Sequence, residues 1–317
     1  MIASLRLVRP INLGIIAITM YGCRYFILAT NGYQKIHDEP FLFFFLVLST
    51  LLIAAGGNII NDYFDIKADK VNKPEKLIVG KLIEKRKAIL LHWILNGIAF
   101  LIAIIISVYA KSSSIVLIHL VSINLLWFYS LYFKKKPFFG NFVVALLTGM
   151  IPILVVVYFE VLNNFNKPFS AFHEDSWSVH LNYNFIYILA LMAFIQNLAR
   201  EILKDVEDIE GDKKIAARTV PMILGVQRSK VLVAGLLIFT PLLYFFFLLD
   251  KQFPAFGLTL LTSIGWMLAS LIDVAGFISL AFLPNSAIRK NHLMIKLSMF
   301  FGILTTFHVA FAYFLFS

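Results

Sequence analysis

Long uninterrupted apolar runs are the feature of this chain that most constrains its fold. Nine runs follow one another, and each is close to the roughly 20 residues that an α-helix needs to cross a bilayer. Strands of a membrane barrel would instead alternate between apolar and polar residues over about 10 positions. The sequence therefore predicts an all-α integral membrane protein, with nine transmembrane helices bundled around a central cavity. The predicted spans are 12–31, 40–60, 88–110, 113–132, 140–159, 183–201, 231–249, 256–282 and 293–316.

The composition agrees with this fold class and narrows the possible partners. Hydrophobic residues make up 60% of the chain and charged residues 15%, which is too apolar for an ordinary soluble domain. We therefore expect residues 1–317 to form a single transmembrane domain in the lipid bilayer. The net charge of +10 does not indicate a nucleic-acid partner, because the basic residues are spread along membrane-edge loops. The single cysteine, Cys23, excludes an intramolecular disulfide.

The distribution of basic residues predicts the orientation of the helices. With the N-terminus placed inside, 23 of the 28 Lys and Arg residues lie on the inner side. Cytoplasmic segments of membrane proteins carry such an excess of positive charge. We therefore predict a multi-pass protein of the plasma (inner) membrane with a cytoplasmic N-terminus. Four spans separate the segments 61–69 and 200–212, so both segments should emerge on the cytoplasmic side.

These two segments, named here the first and second acidic windows, hold nine of the 18 acidic residues. Carboxylates at a membrane edge are costly unless something pairs with them. Residues three and four positions apart lie on one face of a helix, and two facing acidic stripes repel each other unless cations bridge them. Mg²⁺ bound through carboxylates and a substrate phosphate fits this pattern. Six side chains recur at such steps: Asn61, Asp65, Asp69, Asp205, Asp208 and Asp212.

Several short motifs surround the acidic windows in a fixed order. The first window reads Asn-Asp-x-x-Asp-x-x-x-Asp and continues into Asn-x-Pro and a glycine at position 80. The remaining motifs are Arg-Pro-Ile-Asn at 9–12, Tyr-Ser-Leu-Tyr-Phe-Lys at 129–134, Gly-Asn at 140–141 and Thr-Val-Pro at 219–221. Together they resemble the UbiA-type intramembrane prenyltransferase family, which also has nine helices. Residues 73–80 keep the positive charge of the family's loop but lack a proline and a serine of many members.

The resemblance implies a magnesium-dependent prenyltransferase and assigns roles to named residues. The six side chains of the acidic windows would hold two Mg²⁺ ions. These ions and fixed cations would stabilise the diphosphate that leaves when an allylic C–O bond breaks. The implied catalytic residues are Asp65, Lys134, Asp208 and Asp212. The implied diphosphate-binding residues are Asn12, Tyr129, Lys134, Arg200 and Lys204.

The second window is most similar to that of family members that act on glycerol phosphate lipids. It therefore implies transfer of a geranylgeranyl-type chain to the hydroxyl of a prenylglycerol phosphate in membrane lipid synthesis. The alternative acceptor is an aromatic quinone precursor of the hydroxybenzoate, naphthoate or homogentisate type. Either way, the partners are a prenyl diphosphate and its acceptor within the bilayer. The donor chain length and the oligomeric state do not follow from the sequence.

Other interpretations, in which the same residues have structural or transport roles, stay open at this point. Lys134 could be a membrane anchor, and Arg200 and Lys204 could simply neutralise the second window. Asn12 could bond a neighbouring helix instead of a ligand. Asp273 lies inside the eighth predicted span, where we favour a buried structural pair. A cation-coupled transporter is a distant alternative, supported only by Asp273 and the Gly56-Gly57 pair.

Overall fold

The computed structural model describes residues 6–31, 36–72, 74–164, 176–214, 216–249, 260–282 and 288–316. Within these ranges, nine helices are long and apolar enough to cross a membrane, as the sequence predicts. A tenth helix is short and precedes the seventh membrane helix. In chain order the helices are α1 (Pro10–Asn31), α2 (Pro40–Asn72), α3 (Lys85–Tyr109), α4 (Ser114–Leu131), α5 (Phe139–Asn164), α6 (Ser176–Lys214), α7 (Val220–Leu224), α8 (Val226–Leu249), α9 (Leu260–Phe282) and α10 (Ile288–Phe316).

Two helices extend well past their predicted ends. Helix α2 continues beyond position 60 to Asn72, and α6 continues beyond position 201 to Lys214. Hydropathy marks only the apolar part of a helix, whereas helical hydrogen bonding continues through the charged turns that follow. Both acidic windows therefore lie on helical extensions rather than in loops. Predicted positions 256–259 lie outside the described residues.

The helices enclose a central cavity. Helices α1 and α10, from opposite ends of the chain, pack against each other and close the bundle. At one end, Phe26 of α1 stacks on Phe185 of α6 with ring centroids 4.4 Å apart. Phe185 in turn stacks on Trp266 of α9 at 5.1 Å. This aromatic packing fills one end of the bundle, and the cavity lies toward the end that carries the acidic windows.

The segment before α1 is fixed against α2 beside the first acidic window. Asn58 donates from its Nδ2 atom to the carbonyl oxygen of Val8 at 3.1 Å. Leu7 is fully buried in a cluster with Ile59. The start of α1 is therefore held next to the point where α2 becomes polar. The prediction of a single domain over 1–317 stays a prediction.

Candidate active site

A cavity opens between α1, α2, α4, α5, α6 and α10, and its volume is about 1490 Å³ when the open space at its mouth is included. We name it the polar chamber. Five of the residues that the family resemblance implicates lie in its wall: Asn12, Asn61, Tyr129, Arg200 and Lys204. A smaller, apolar cavity adjoins the chamber and shares Ile15, Ile16 and Met299 with it. The bundle thus offers a polar compartment and an apolar one side by side.

The first acidic window meets Lys134 next to Asn61, which lines the chamber, whereas Asp65 and Lys134 are not part of the chamber wall. Asn61 donates from its Nδ2 atom to Asp65 Oδ2 at 2.8 Å. The other carboxylate oxygen of Asp65 forms an ion pair with the Lys134 ammonium, and the two side chains are 17% and 12% exposed. Asn61 Oδ1 is buried and has no hydrogen-bond partner among the described residues. An amide oxygen beside a carboxylate is therefore available to a cation.

Lys134 lies in a 3₁₀ turn, Phe133–Lys135, that connects α4 to α5 outside the membrane-spanning segments. Burial and, to a smaller extent, the charge of Lys204 lower the pKa of Lys134 to about 7, against the opposing effect of the Asp212 carboxylate. A buried ammonium gains most from an added negative charge, because that charge favours its protonated form. Lys134 is thus turned toward the acidic windows and is suited to meet an anionic ligand.

The second acidic window is fixed by two asparagines from other helices. Asn141 at the start of α5 donates from Nδ2 to Asp205 Oδ2 at 2.9 Å. Asn72, the last residue of α2, donates from Nδ2 to the backbone oxygen of Asp208 at 3.0 Å. These bonds hold the extension of α6 close to the extension of α2, so the two windows face a common region.

The basic residues of α6 surround one buried carboxylate. Arg200 Nη2 donates to Glu201 Oε1 at 2.7 Å, and Lys204 Nζ lies 3.6 Å from Glu201 Oε2. Glu201 is 6% exposed. The contacts with Glu201 do not engage every donor on this part of α6. Arg200 Nε and Asn197 Nδ2 are buried without a hydrogen-bond partner in the described part of the chain. Buried donors of this kind are suited to donate hydrogen bonds to a ligand's oxygen atoms.

The predicted metal ligands fit Mg²⁺ by their chemistry. Asp69, Asp208 and Asp212 are half-buried on the helical extensions. The part of the chain that the structure describes contains no group of three or more His, Cys, Asp or Glu side chains close enough to hold a metal ion. Mg²⁺ in proteins is usually held by one or two carboxylates, with waters and substrate phosphates completing its shell. The Asn61 amide oxygen is one oxygen ligand without a partner among the described residues, whereas both oxygens of Asp65 contact Asn61 and Lys134 in this structure.

Sequence reasoning missed several residues that the structure places at the site. Asn72 and Asn141 lie inside the motifs and still escape attention, because their roles depend on contacts across helices. Asn197 lies three residues before Arg200, a spacing that could have indicated a shared face. Lys296 lies inside α10 and lines the chamber, although the sequence places it near a membrane edge. A charge inside a spanning helix is the signal that could have found it.

The features that favoured a transporter have packing roles in this bundle. Gln196 donates from Nε2 to Asp273 Oδ2 at 2.8 Å and to Ser298 Oγ at 2.7 Å, which joins α6, α9 and α10. A Cβ atom built on Gly57 would come within 2.9 Å of the Leu126 side chain. Gly57 therefore allows α2 and α4 to approach closely. The structure thus gives Asp273 the buried partner that the sequence could not name.

The fold and the site define a polytopic, all-helical membrane protein. The two helices that carry the acidic windows form part of its chamber wall, which also contains cationic side chains. The family description for the UbiA prenyltransferase family matches residues 15–278, and the chain belongs to this family. The family assignment confirms the resemblance that the motifs indicate.

Curated relatives and solved structures agree with this assignment. The digeranylgeranylglyceryl phosphate synthases of Thermococcus sibiricus and Methanosphaera stadtmanae are 36% and 34% identical over 59% and 63% of this chain. The matches span 57% and 65% of the lengths of those relatives. A solved structure of a digeranylgeranylglyceryl phosphate synthase superposes with a TM-score of 0.63 at 21% identity, covering 98% of both chains. A UbiA homologue from Archaeoglobus fulgidus bound to DMAPP and Mg²⁺ gives 0.53 at 17% identity, covering 96% of this chain and 98% of that one.

Proposed function

We propose that this chain transfers a geranylgeranyl-type group from an allylic diphosphate to the hydroxyl of a prenylglycerol phosphate, in membrane lipid synthesis. The observation that carries this proposal is the contact of Asp65 with both Lys134 and Asn61, where Asn61 lines a cation-rich chamber that adjoins an apolar cavity. A prenyl diphosphate has the same division into a charged head and an apolar tail. The names of the relatives support the lipid phosphate as the acceptor.

The acidic windows are the proposed metal site. Asn61, Asp65 and Asp69 from α2 and Asp205, Asp208 and Asp212 from α6 would hold two Mg²⁺ ions. When bound, Mg²⁺ neutralises charge that develops on the departing diphosphate oxygens. The unbonded Oδ1 atom of Asn61 and the Asn141 bond that orients Asp205 support this assignment.

The chain's own cations hold the donor's head group. Lys134, Arg200 and Lys204 would bind diphosphate oxygens, with Tyr129 and Asn12 donating hydrogen bonds from the chamber wall. Their positive charge stabilises the leaving diphosphate more than the bound substrate, because negative charge grows there as the C–O bond breaks. The bonding electrons leave with the diphosphate, and an allylic carbocation remains.

The apolar cavity completes the reaction site. Ile15, Ile16 and Met299 form the boundary between the two cavities, where the allylic carbon would lie. An apolar wall keeps water from the carbocation, so the acceptor hydroxyl oxygen attacks it instead. A C–O bond forms, and the hydroxyl proton would pass to an oxygen atom of the released diphosphate. The positive-inside pattern supports a chamber that opens on the cytoplasmic side of the plasma membrane.

The acceptor is tested with purified protein in detergent, supplied with geranylgeranyl diphosphate and Mg²⁺. Geranylgeranylglyceryl phosphate is offered in one reaction and hydroxybenzoate, naphthoate and homogentisate acceptors in others, and products are identified by mass spectrometry. We expect a doubly prenylated glycerol phosphate only. A prenylated aromatic acid would overturn the lipid assignment, and no product with any acceptor would overturn transferase activity itself.

A further inference from the structure

Lys296 brings a positive charge into the polar chamber from the helix that closes the bundle. It lies on α10, inside a membrane-spanning segment, and it lines the chamber. No salt bridge joins Lys296 to any carboxylate among the described residues. The charges that act on it most strongly are Arg200, Arg9 and Glu201. Because a charge in a spanning segment is costly, a cation that faces a cavity without a paired carboxylate indicates an anionic ligand.

Helix α6 presents two further donors to the same chamber. Asn197 is 2% exposed, and its Nδ2 atom has no acceptor among the described residues. Arg200 lies three residues further along the same helix face, and its Nε atom is also buried without an acceptor in the described ranges. Helices α6 and α10 pack against each other. Two facing helices therefore supply an ammonium, an amide N–H and a guanidinium N–H.

These donors line the chamber, whereas Lys134 does not. Lys134 is paired with Asp65 of the first acidic window, while the charges that act most strongly on Lys296 are Arg200, Arg9 and Glu201. The two lysines thus belong to separate electrostatic neighbourhoods. The surroundings of Lys134 include carboxylates of the acidic windows, and a magnesium-bound diphosphate requires such carboxylates.

The charge balance of the chamber also favours anionic ligands. Four basic side chains and one acidic side chain line it: Arg9, Arg200, Lys204, Lys296 and Glu201. Arg9 is already paired with Asp62 at 2.6 Å. Glu201 offsets one of the three remaining cations, so the part of the wall on α6 and α10 keeps a net charge of +2, which favours anionic phosphate groups in the chamber.

We propose that Lys296, Asn197 and the Nε atom of Arg200 bind the phosphate group of the acceptor lipid. This inference rests on the proposed function and adds to it the residues that select a phosphorylated acceptor. Arg200 would contact both substrates: its Nη2 atom bonds Glu201, and its Nε atom, which has no acceptor among the described residues, would serve the acceptor's phosphate. Lys296 acts as a point charge and the other two groups fix the phosphate's position.

The test compares lipids with and without the phosphate group. The Michaelis constant for geranylgeranylglyceryl phosphate and the inhibition constant of unphosphorylated geranylgeranylglycerol, added as a competitor, are measured for the wild type and Lys296→Met. We expect the first constant to rise about 10-fold or more, because a charge-assisted contact is lost. The second constant and the Michaelis constant for the prenyl diphosphate should stay unchanged.

Two further variants complete the experiment. Lys296→Arg should retain most of the phosphate preference, and Lys290→Met, on the same helix but outside the chamber wall, should behave as the wild type. Equal weakening of both lipids by Lys296→Met would indicate a structural role and overturn the inference, as would unchanged constants. If the wild type transfers to no lipid, the proposed function fails, and the inference fails with it.

Discussion

Asn72 and Gly211 join the ends of the two acidic helices. The Gly211 N–H donates to Asn72 Oδ1 at 2.7 Å, and the same asparagine bonds the backbone oxygen of Asp208. A Cβ atom built on Gly211 would lie 2.2 Å from Asn72 Nδ2, so this approach requires glycine. The pair sets the spacing of the two acidic windows. Its hydrogen bonds use the Asn72 side chain and backbone atoms of the second window, and they involve no carboxylate group.

The Gly211→Ala substitution should therefore weaken the metal site. We expect the Mg²⁺ concentration for half-maximal activity to rise about 10- to 100-fold, the range typical of groups that orient metal ligands. Magnesium titrations of prenyl transfer check this. Gly235→Ala is the matched control, because a Cβ atom at Gly235 would meet no atom of the described residues within 4 Å. An unchanged magnesium requirement in Gly211→Ala would contradict the role of the pair.

Lys134 should matter to the rate far more than its neighbour Lys136. Lys134→Met removes the cation next to Asp65, and we expect kcat to fall about 100-fold because charge on the leaving diphosphate loses a stabilising partner. Lys136 instead lies with its ammonium 4.2 Å from the ring centre of Tyr132. Lys136→Met should leave kcat within about 2-fold of the wild type. Equal losses in the two variants would favour a general membrane-anchoring role for this lysine run.

The sequence predicts the helices better than it predicts the site. Apolar run length is a local property, so all nine spans are found; hydropathy does not mark the helical extensions to Asn72 and Lys214, and only the three- and four-residue spacing of the acidic windows indicates that these segments are helical. Regular spacing within one helix predicts that Asn61 and Asp65 lie on the same helix face, where they form a hydrogen bond. Contacts between helices, such as Asn141 with Asp205, require the tertiary fold and leave no periodic trace in the sequence.

The proposed orientation can be tested by cysteine labelling. The native Cys23 is fully buried, so it should react slowly with a membrane-impermeant maleimide. Lys81 and Ser113 are both exposed and lie in the loops after α2 and α3. We expect Lys81→Cys to label only in inside-out vesicles and Ser113→Cys only in right-side-out vesicles. The opposite pattern would place the chamber on the outer side.

Asp273 should contribute to stability rather than to transfer. Asp273→Ala removes the acceptor of the Gln196 hydrogen bond between α6 and α9, and such bonds within membranes contribute about 1 kcal/mol. We expect a lower thermal midpoint in detergent, measured by fluorescence, with the Michaelis constants unchanged. A stable variant that had lost transfer would instead show that Asp273 acts in the reaction.

Magnesium-dependent diphosphate release tests the central claim most directly. Wild-type protein and Asp65→Asn are incubated with geranylgeranyl diphosphate and geranylgeranylglyceryl phosphate, with and without chelator, and the released diphosphate is counted. We predict release by the wild type that stops on chelation and returns with added Mg²⁺, and a loss of about 100-fold or more in Asp65→Asn. Release that persists under chelation, or that is equal in Asp65→Asn, would contradict the assignment of the acidic windows as the metal site.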